Sequence, residues 1–408
     1  MKKYSLAVTI FILTIIIGTT LKGQTATEEL DQELTKTFQS TNIPGMAVAI
    51  VNKDKILYQN EFGYADLSTY APYTQHTIHN IGSLSKTFIG IAIMQLVEQG
   101  KLTLDTKIND ILPFKVVNPH HESLDITVRH LVTHTSTIRD RIFNYGLRAY
   151  VSDDNTKGNR KGLPLKYKIQ FKRMLKSEQV TLGQFLENTL SKKGKWYRKK
   201  NFYKYAPSTE ENYSNIAAAL AGYIVEVITG EKYADYVVNH ILQPLGMTAS
   251  GWTYESIDQS QFANRYMKGN PVPNYRLITY PDGGLISSVA DLSTYQMAMI
   301  KGYYGECNLL SATSFQTLMT DQFSQPPLAQ SIKTYERRYG VFWNIFGTKG
   351  PDDIGHGGSD PGVLSFMFFD PASGLGCLLL TNTEADTHHE EVVKMWELLI
   401  KHREGFRE

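Results

Sequence analysis

The chain has 408 residues, 42% hydrophobic and 20% charged, with 42 basic and 40 acidic side chains. That balance is ordinary for a soluble globular protein and suits one large domain or two lobes; it gives no net charge that would call for a polyanionic partner. Two cysteines, Cys307 and Cys377, exclude a disulfide framework, so size must stabilise the fold. Cys377, in the strand-like run LGCLLLT, reads as a buried core thiol, with a bond to Cys307 the alternative.

Residues 1–23 differ in character from the rest of the chain. MKKYS is positive, and the apolar run Leu6–Ile17 is 12 residues long, short for a bilayer and right for the apolar region of a secretory signal. Cleavage is expected near Gly23, with an uncleaved anchor as the alternative. Removing Lys2, Lys3 and Lys22 leaves 39 basic against 40 acidic side chains. No cysteine follows the run, so no lipid anchor is expected, and the mature protein is expected to be exported, periplasmic or secreted, with no stable membrane anchor.

ATEELDQELTKTFQS has helical spacing, and GMAVAIVNKDKILYQNEFGYAD reads as two strands around NKDK. The segment from Ser83 carries Phe88, Ile89, Ile91, Ile93, Met94 and Leu96 around all sides of a helix, the mark of a buried one, closed by Gly100. The middle of the chain is mostly helical in pattern. YGVFWNIF, VLSFMFFD and GCLLLTNT then read as strands, followed by the amphipathic helix EEVVKMWELLIKH. Strands at both ends with helices between predict a mixed α/β fold: one sheet built from both termini, with a helical lobe inserted. The α/β lobe is expected over about 28–115 plus 280–405, and the helical lobe over about 116–279. Residues 157–204 hold 15 Lys/Arg and two acidic residues. They read as a solvated, partly disordered insertion, with steering of acidic substrates or retention near anionic envelope polymers as the alternative. Trp196 and Tyr197 among the lysines do not make a nucleic-acid site, because no binding motif accompanies them.

Three clusters carry chemistry. Ser83-Leu84-Ser85-Lys86 is the chain's one Ser-x-x-Lys. A helix starting near Ser83 puts the hydroxyl and amine one turn apart at its positive end. Lys86 inside an apolar helix would be desolvated, which lowers its pKa and frees an amine to take the serine proton. The bland alternative makes Ser83 a helix cap and Lys86 a surface residue. Tyr213-Ser214-Asn215 could supply a phenol for proton transfer and an amide for a carbonyl; Tyr58-Gln59-Asn60 has the same spacing, and spacing alone does not separate them. His356-Gly357-Gly358, placed before a strand, could bring backbone N–H groups close to a ligand. One such N–H with that of Ser83 would make a two-donor oxyanion hole; a flexible turn with a surface histidine is the alternative.

In this order and at these positions, the clusters resemble the serine hydrolases related to class C β-lactamases, DD-peptidases and β-lactamase-like esterases. NIPGMAVAIV, ITVRHLVTHTS, LQPLGMT and PDGGLISSVADL are similar to connecting elements of that family, and the resemblance spans about 28–400 of a domain taken as 24–408. It implies a β-lactamase-like fold and an acyl-enzyme on Ser83, with Lys86 and Tyr213 sharing proton transfer. It also implies that Asn215, His356 and Gly358 bind substrate, that the Ser359 N–H completes the oxyanion hole, and that no cofactor is needed. A small molecule or peptide is the expected partner, and nucleic acid is not. Three departures bear on substrate. Thr137 stands where relatives usually have glycine, Asp282 stands where a small neutral residue is common, and the Ser83–Tyr213 spacing is long. His356 replaces a lysine usual in relatives that destroy β-lactams, so esters or D-amino-acid amides are expected to outrank cephalosporins. A class C-type β-lactamase and a catalytically silent penicilloyl- or peptidoglycan-binding protein are the competing readings. His120-His121 and His388-His389 lack metal-ligand spacing, so no metal is expected.

Overall fold

The computed structural model describes residues 26–152, 162–324, 338–346 and 353–407; the N-terminal apolar segment lies outside them. Helix α1 (26–39) leads into β1 (Gly45–Val51) and β2 (Ile56–Asp66), which flank the turn around Asn52–Lys55, and then β3 (Ala71–Pro72). After α2 (Ser85–Glu98) come α3 (Leu165–Met174), α4 (Leu182–Leu190), α5 (Asn215–Thr229) and α6 (Val289–Tyr303). The chain then returns to strands: β4 (Arg338–Tyr339), β5 (Asn344–Phe346), β6 (Asp353–Asp360), β7 (Val363–Asp370) and β8 (Leu375–Thr381), before α7 (Ala385–Arg403).

These eight strands form one antiparallel sheet in the order β4-β5-β6-β7-β8-β1-β2-β3. The two ends of the chain meet at its centre, where β1 pairs with β8 from Met46↔Thr381 to Val51↔Gly376. Both strands are buried along their whole length, which explains runs as apolar as GMAVAIV and LGCLLLT. Alternation then divides the core. Met46, Val48 and Ile50 face α1 and α7 with Leu30, Leu34, Val392 and Met395. Ala47, Ala49 and Val51 face the other layer with Phe88, Leu292 and Leu378. The expected mixed α/β fold, sheet from both termini and helices around it, is the observed one.

Two local expectations need correction. YGVFWNIF is not one strand: Phe342 has φ +59°, which folds the run into a hairpin pairing Tyr339 with Asn344. The basic segment is not a loose insertion where it is described, because α3, α4 and a turn at Lys199–Asn201 occupy it, and Phe171, Phe185 and Trp196 enter the main core. Its lysines sit on the outer surface; Lys192 and Lys195 meet Glu122 and Glu178. Cys377 is buried, Cys307 half-buried, and both are free thiols. Among the described residues no helix is long and apolar enough to cross a membrane.

Candidate active site

The α-helix begins at Ser85, two residues later than the sequence suggested, and Ser83 lies in a 3-10 turn (Gly82–Leu84) that leads into it. Gly82 holds φ +56°, a conformation that glycine adopts without a Cβ clash. Ser83 therefore caps nothing. Ser85 takes the local structural duty, donating to the Gly82 carbonyl and accepting from Leu285 N. The Ser83 hydroxyl is left facing a cleft of about 760 Å³ lined also by Tyr213, Asn215, His356, Gly358 and Ser359.

Lys86 is fully buried, and not by its own helix's apolar neighbours alone. Its Nζ lies 3.0 Å from Ser83 Oγ, 2.7 Å from Asn215 Oδ1 and 2.5 Å from the Asp282 carbonyl oxygen. Burial pulls its pKa down to about 8, against the opposing pull of Asp282, Asp140 and Asp360. Near neutral pH a useful fraction of the amine is unprotonated beside the serine. The Tyr213 ring lies over Nζ at 5.0 Å. Its hydroxyl is shielded from solvent, with no partner at hydrogen-bonding geometry among the described residues. Burial pushes that phenol well up, a shift the neighbouring Ser83 hydroxyl opposes, so it remains a neutral proton donor.

His356, Gly357 and Gly358 lie inside β6 rather than before it, and His356 is 2% exposed, so this is no flexible turn. Its Nδ1 is 2.6 Å from the Gly357 carbonyl, which can only accept; Nδ1 therefore carries hydrogen. The turn that carries Ser83 packs directly on this strand. A Cβ on Gly82 would lie 2.9 Å from Ser359 N, and one on Gly358 would lie 3.1 Å from Ser83 N. Glycine at both positions lets the turn carrying Ser83 and the strand carrying Ser359 approach this closely. Ser365 Oγ fixes the contact by donating to the Ile81 carbonyl at 2.8 Å.

The family model for Beta-lactamase matches residues 27–400. The chain belongs to the β-lactamase family. It is 22% identical over 382 residues to Protein flp of Staphylococcus aureus strain N315, covering 92% of this chain and 67% of that protein. In fold it is similar to an octameric penicillin-binding protein homologue from Pyrococcus abyssi, with TM-score 0.68, 25% identity, and 92% of this chain and 77% of that one covered. It is also similar to a β-lactamase/D-alanine carboxypeptidase from Pseudomonas syringae, with TM-score 0.67, 19% identity, and 92% and 99% covered.

The structure separates this β-lactamase-family member's two Tyr-x-Asn copies. Tyr213 and Asn215 meet Ser83 and Lys86, whereas Tyr58 is in the outer core and gives its hydroxyl to Asp31 at 3.1 Å. Two residues that hold the second motif were not singled out from the sequence. Asp140 accepts from Ser214 Oγ, Asn215 N and Ile216 N, fixing the start of α5. Burial raises its pKa; those donors and Lys86 pull it back. His134 Nδ1 accepts from Ser214 N at 3.2 Å, so that ring has its hydrogen on Nε2 when neutral, and it packs 4.4 Å from the Tyr213 ring. The signal for Asp140 was that it is the first acid after Asp125, set between Arg139 and Arg141.

The substituted positions are also placed. Thr137 sits at φ +67°, the left-handed region where glycine is usual, and its Oγ1 accepts from Asn118 at 2.9 Å. Asp282 is 1% exposed, accepts from the Tyr145 hydroxyl at 2.8 Å, and is pushed up to about 7 by burial, with Lys86 opposing. Asp360, bonded by the Tyr150 hydroxyl at 2.6 Å, is pushed up to about 6 for the same reason. Among the described residues no group of three His, Cys, Asp or Glu side chains could hold a metal. His121 lies 2.9 Å from the Lys204 carbonyl, and His388 pairs with Glu391.

Proposed function

We propose that this protein is an exported serine hydrolase that cleaves carboxylic esters, or amides of D-amino acids, through an acyl-enzyme on Ser83. The observation that carries the reading is the 3.0 Å contact between Ser83 Oγ and a fully buried Lys86 whose pKa is near 8. Lys86 takes the serine proton as Oγ attacks the carbonyl carbon. The Ser83 and Ser359 N–H groups hold the oxygen as it becomes negative. Tyr213, a neutral phenol above Nζ, passes a proton to the leaving group, and water then releases the acyl group by the same steps in reverse. Asn215, already bonded to Lys86 through Oδ1, has its amide nitrogen for a substrate carbonyl. Lys86 is favoured over Tyr213 as the base because burial lowers the pKa of the amine and raises that of the phenol.

His356, with Nδ1 held by its own strand, supplies no fixed cation of the lysine kind at the third motif. A drug carboxylate loses a charge-assisted contact there, worth about 1.5–3 kcal/mol or roughly ten- to a hundredfold in rate. Esters lose nothing. The test is covalent labelling by a fluorophosphonate, with wild type against Ser83→Ala, followed by ester, D-amino amide and cephalosporin hydrolysis on one preparation at pH 7. Absence of labelling supports a silent binding protein instead, and cephalosporin turnover matching ester turnover supports a β-lactamase. Export is tested by fractionation and by the N-terminal residue of the mature chain.

A further inference from the structure

The catalytic cleft does not stop at the strand edge. From Ser83 it passes Gly357 and continues over the sheet face that α7 covers, reaching Phe346, Phe366, Val393 and Trp396. Strand register explains the passage. Gly355, Gly357 and Ser359 pair with Phe368, Phe366 and Leu364, so these six share one face. On that face β6 presents, beyond Asp353 at its first position, no side chain larger than serine, while β7 presents three large apolar ones. A Cβ at Gly357 would touch the Phe366 ring at 3.4 Å, so its absence opens that ring to the cleft. The wall is continuous: Phe346 meets Phe368 at 5.5 Å between centroids, Phe368 meets Trp396 at 6.0 Å, and Trp396 meets Phe366 at 5.4 Å. Phe366 and Trp396 are only partly buried. The carboxylate bordering the trough, Asp353, is taken by Arg403 at 2.8 Å, so no uncompensated charge from it faces an apolar guest. A lining that is aromatic, partly exposed and joined to the nucleophile is built for part of the substrate rather than for stability.

Resting on the reading of Ser83 as an ester-cleaving nucleophile, we infer that the substrate carries an aryl or medium-length alkyl group, which lies in the trough between β6 and α7 against Phe366 and Trp396. Each methylene entering the trough raises kcat/KM about threefold to fourfold. The test uses the full chain with two series: p-nitrophenyl esters from acetate to octanoate, and acetates of alcohols from ethanol to octanol. A rise in kcat/KM with length in either series supports the inference and tells which side of the scissile bond enters. Trp396→Ala lowers the octyl-to-acetyl ratio about tenfold, mainly through KM. Gly357→Leu, which fills the trough from its floor and leaves the sequence of α7 unaltered, lowers the same ratio and serves if Trp396→Ala does not fold. Flat or falling profiles in both series, or unchanged ratios in the folded variants, overturn the trough. If no ester is cleaved at all, the ester branch of that reading fails, and the trough is read separately by titrating decyl alcohol against Trp fluorescence in Ser83→Ala. Saturable quenching lost in Trp396→Phe supports it; no change on titration refutes it.

Discussion

Replacing Asp282 by asparagine isolates the charge that most opposes desolvation of Lys86. The side chain keeps its volume and still accepts from Tyr145, and the backbone carbonyl still accepts from Lys86. What leaves is a carboxyl that is first among three acids raising the amine's pKa. A nearby opposite charge shifts a pKa by about 1–3 units. Asp282 is itself pushed up to about 7, so near neutrality it is charged only part of the time, and the lower end applies, about one unit. Without the acid the ammonium is less favoured, Lys86 titrates below its present value near 8, and the neutral amine persists to lower pH. The acid limb of kcat/KM, which reports the free enzyme, moves down by about one pH unit in Asp282→Asn. The assay is p-nitrophenyl butyrate hydrolysis from pH 5 to 9, with Asp140 and Asp360 unchanged as the remaining acids. An acid limb that stays in place, or moves up, refutes Lys86 as the base under Asp282's influence.

Ser83→Ala abolishes turnover and covalent labelling, by more than about 10⁴-fold, while the melting temperature stays within a few degrees; retention of a hundredth of the activity counts against the nucleophile. Gly82→Ala forces φ +56° on a residue with a Cβ and drives that atom to 2.9 Å from Ser359 N. It costs about 1–2 kcal/mol of stability and lowers kcat at least tenfold, by chemical denaturation and steady-state kinetics; wild-type kcat refutes the two-donor oxyanion hole. Asp282 binds its proton more tightly folded than unfolded, between the ordinary value of 3.8 and about 7. Its contribution to stability is thus full below pH 4 and lost as pH rises through 7, at up to about 1.4 kcal/mol per pH unit. Unfolding curves from pH 4.5 to 7.5 should fall less steeply in Asp282→Asn than in wild type; parallel curves show that the carboxyl is not buried protonated.

Local pattern was enough for much of this molecule. The run after Ser83 is apolar on every side, so only a buried helix can hold it, and Ser-x-x-Lys spacing then puts hydroxyl and amine one turn apart where a 3-10 turn leads into that helix. GMAVAIV and LGCLLLT had to be central strands because both faces of each are apolar, which brings the two ends of the chain together. Other features were beyond pattern, because they depend on contacts between distant parts of the chain. Nothing near Tyr58 or Tyr213 says which one meets Lys86; closure of the sheet puts Tyr58 under α1, and Asp140 anchors α5 with Tyr213 at its start. Lys86 bonds residues 129 and 196 positions away, and burial among such distant parts of the chain is what brings its pKa down to about 8. The small residues of β6 and the large ones of β7 were both legible in sequence. Only their pairing in register, Gly357 beside Phe366, makes a trough of them, since a shift of one residue would turn the glycines to the opposite face.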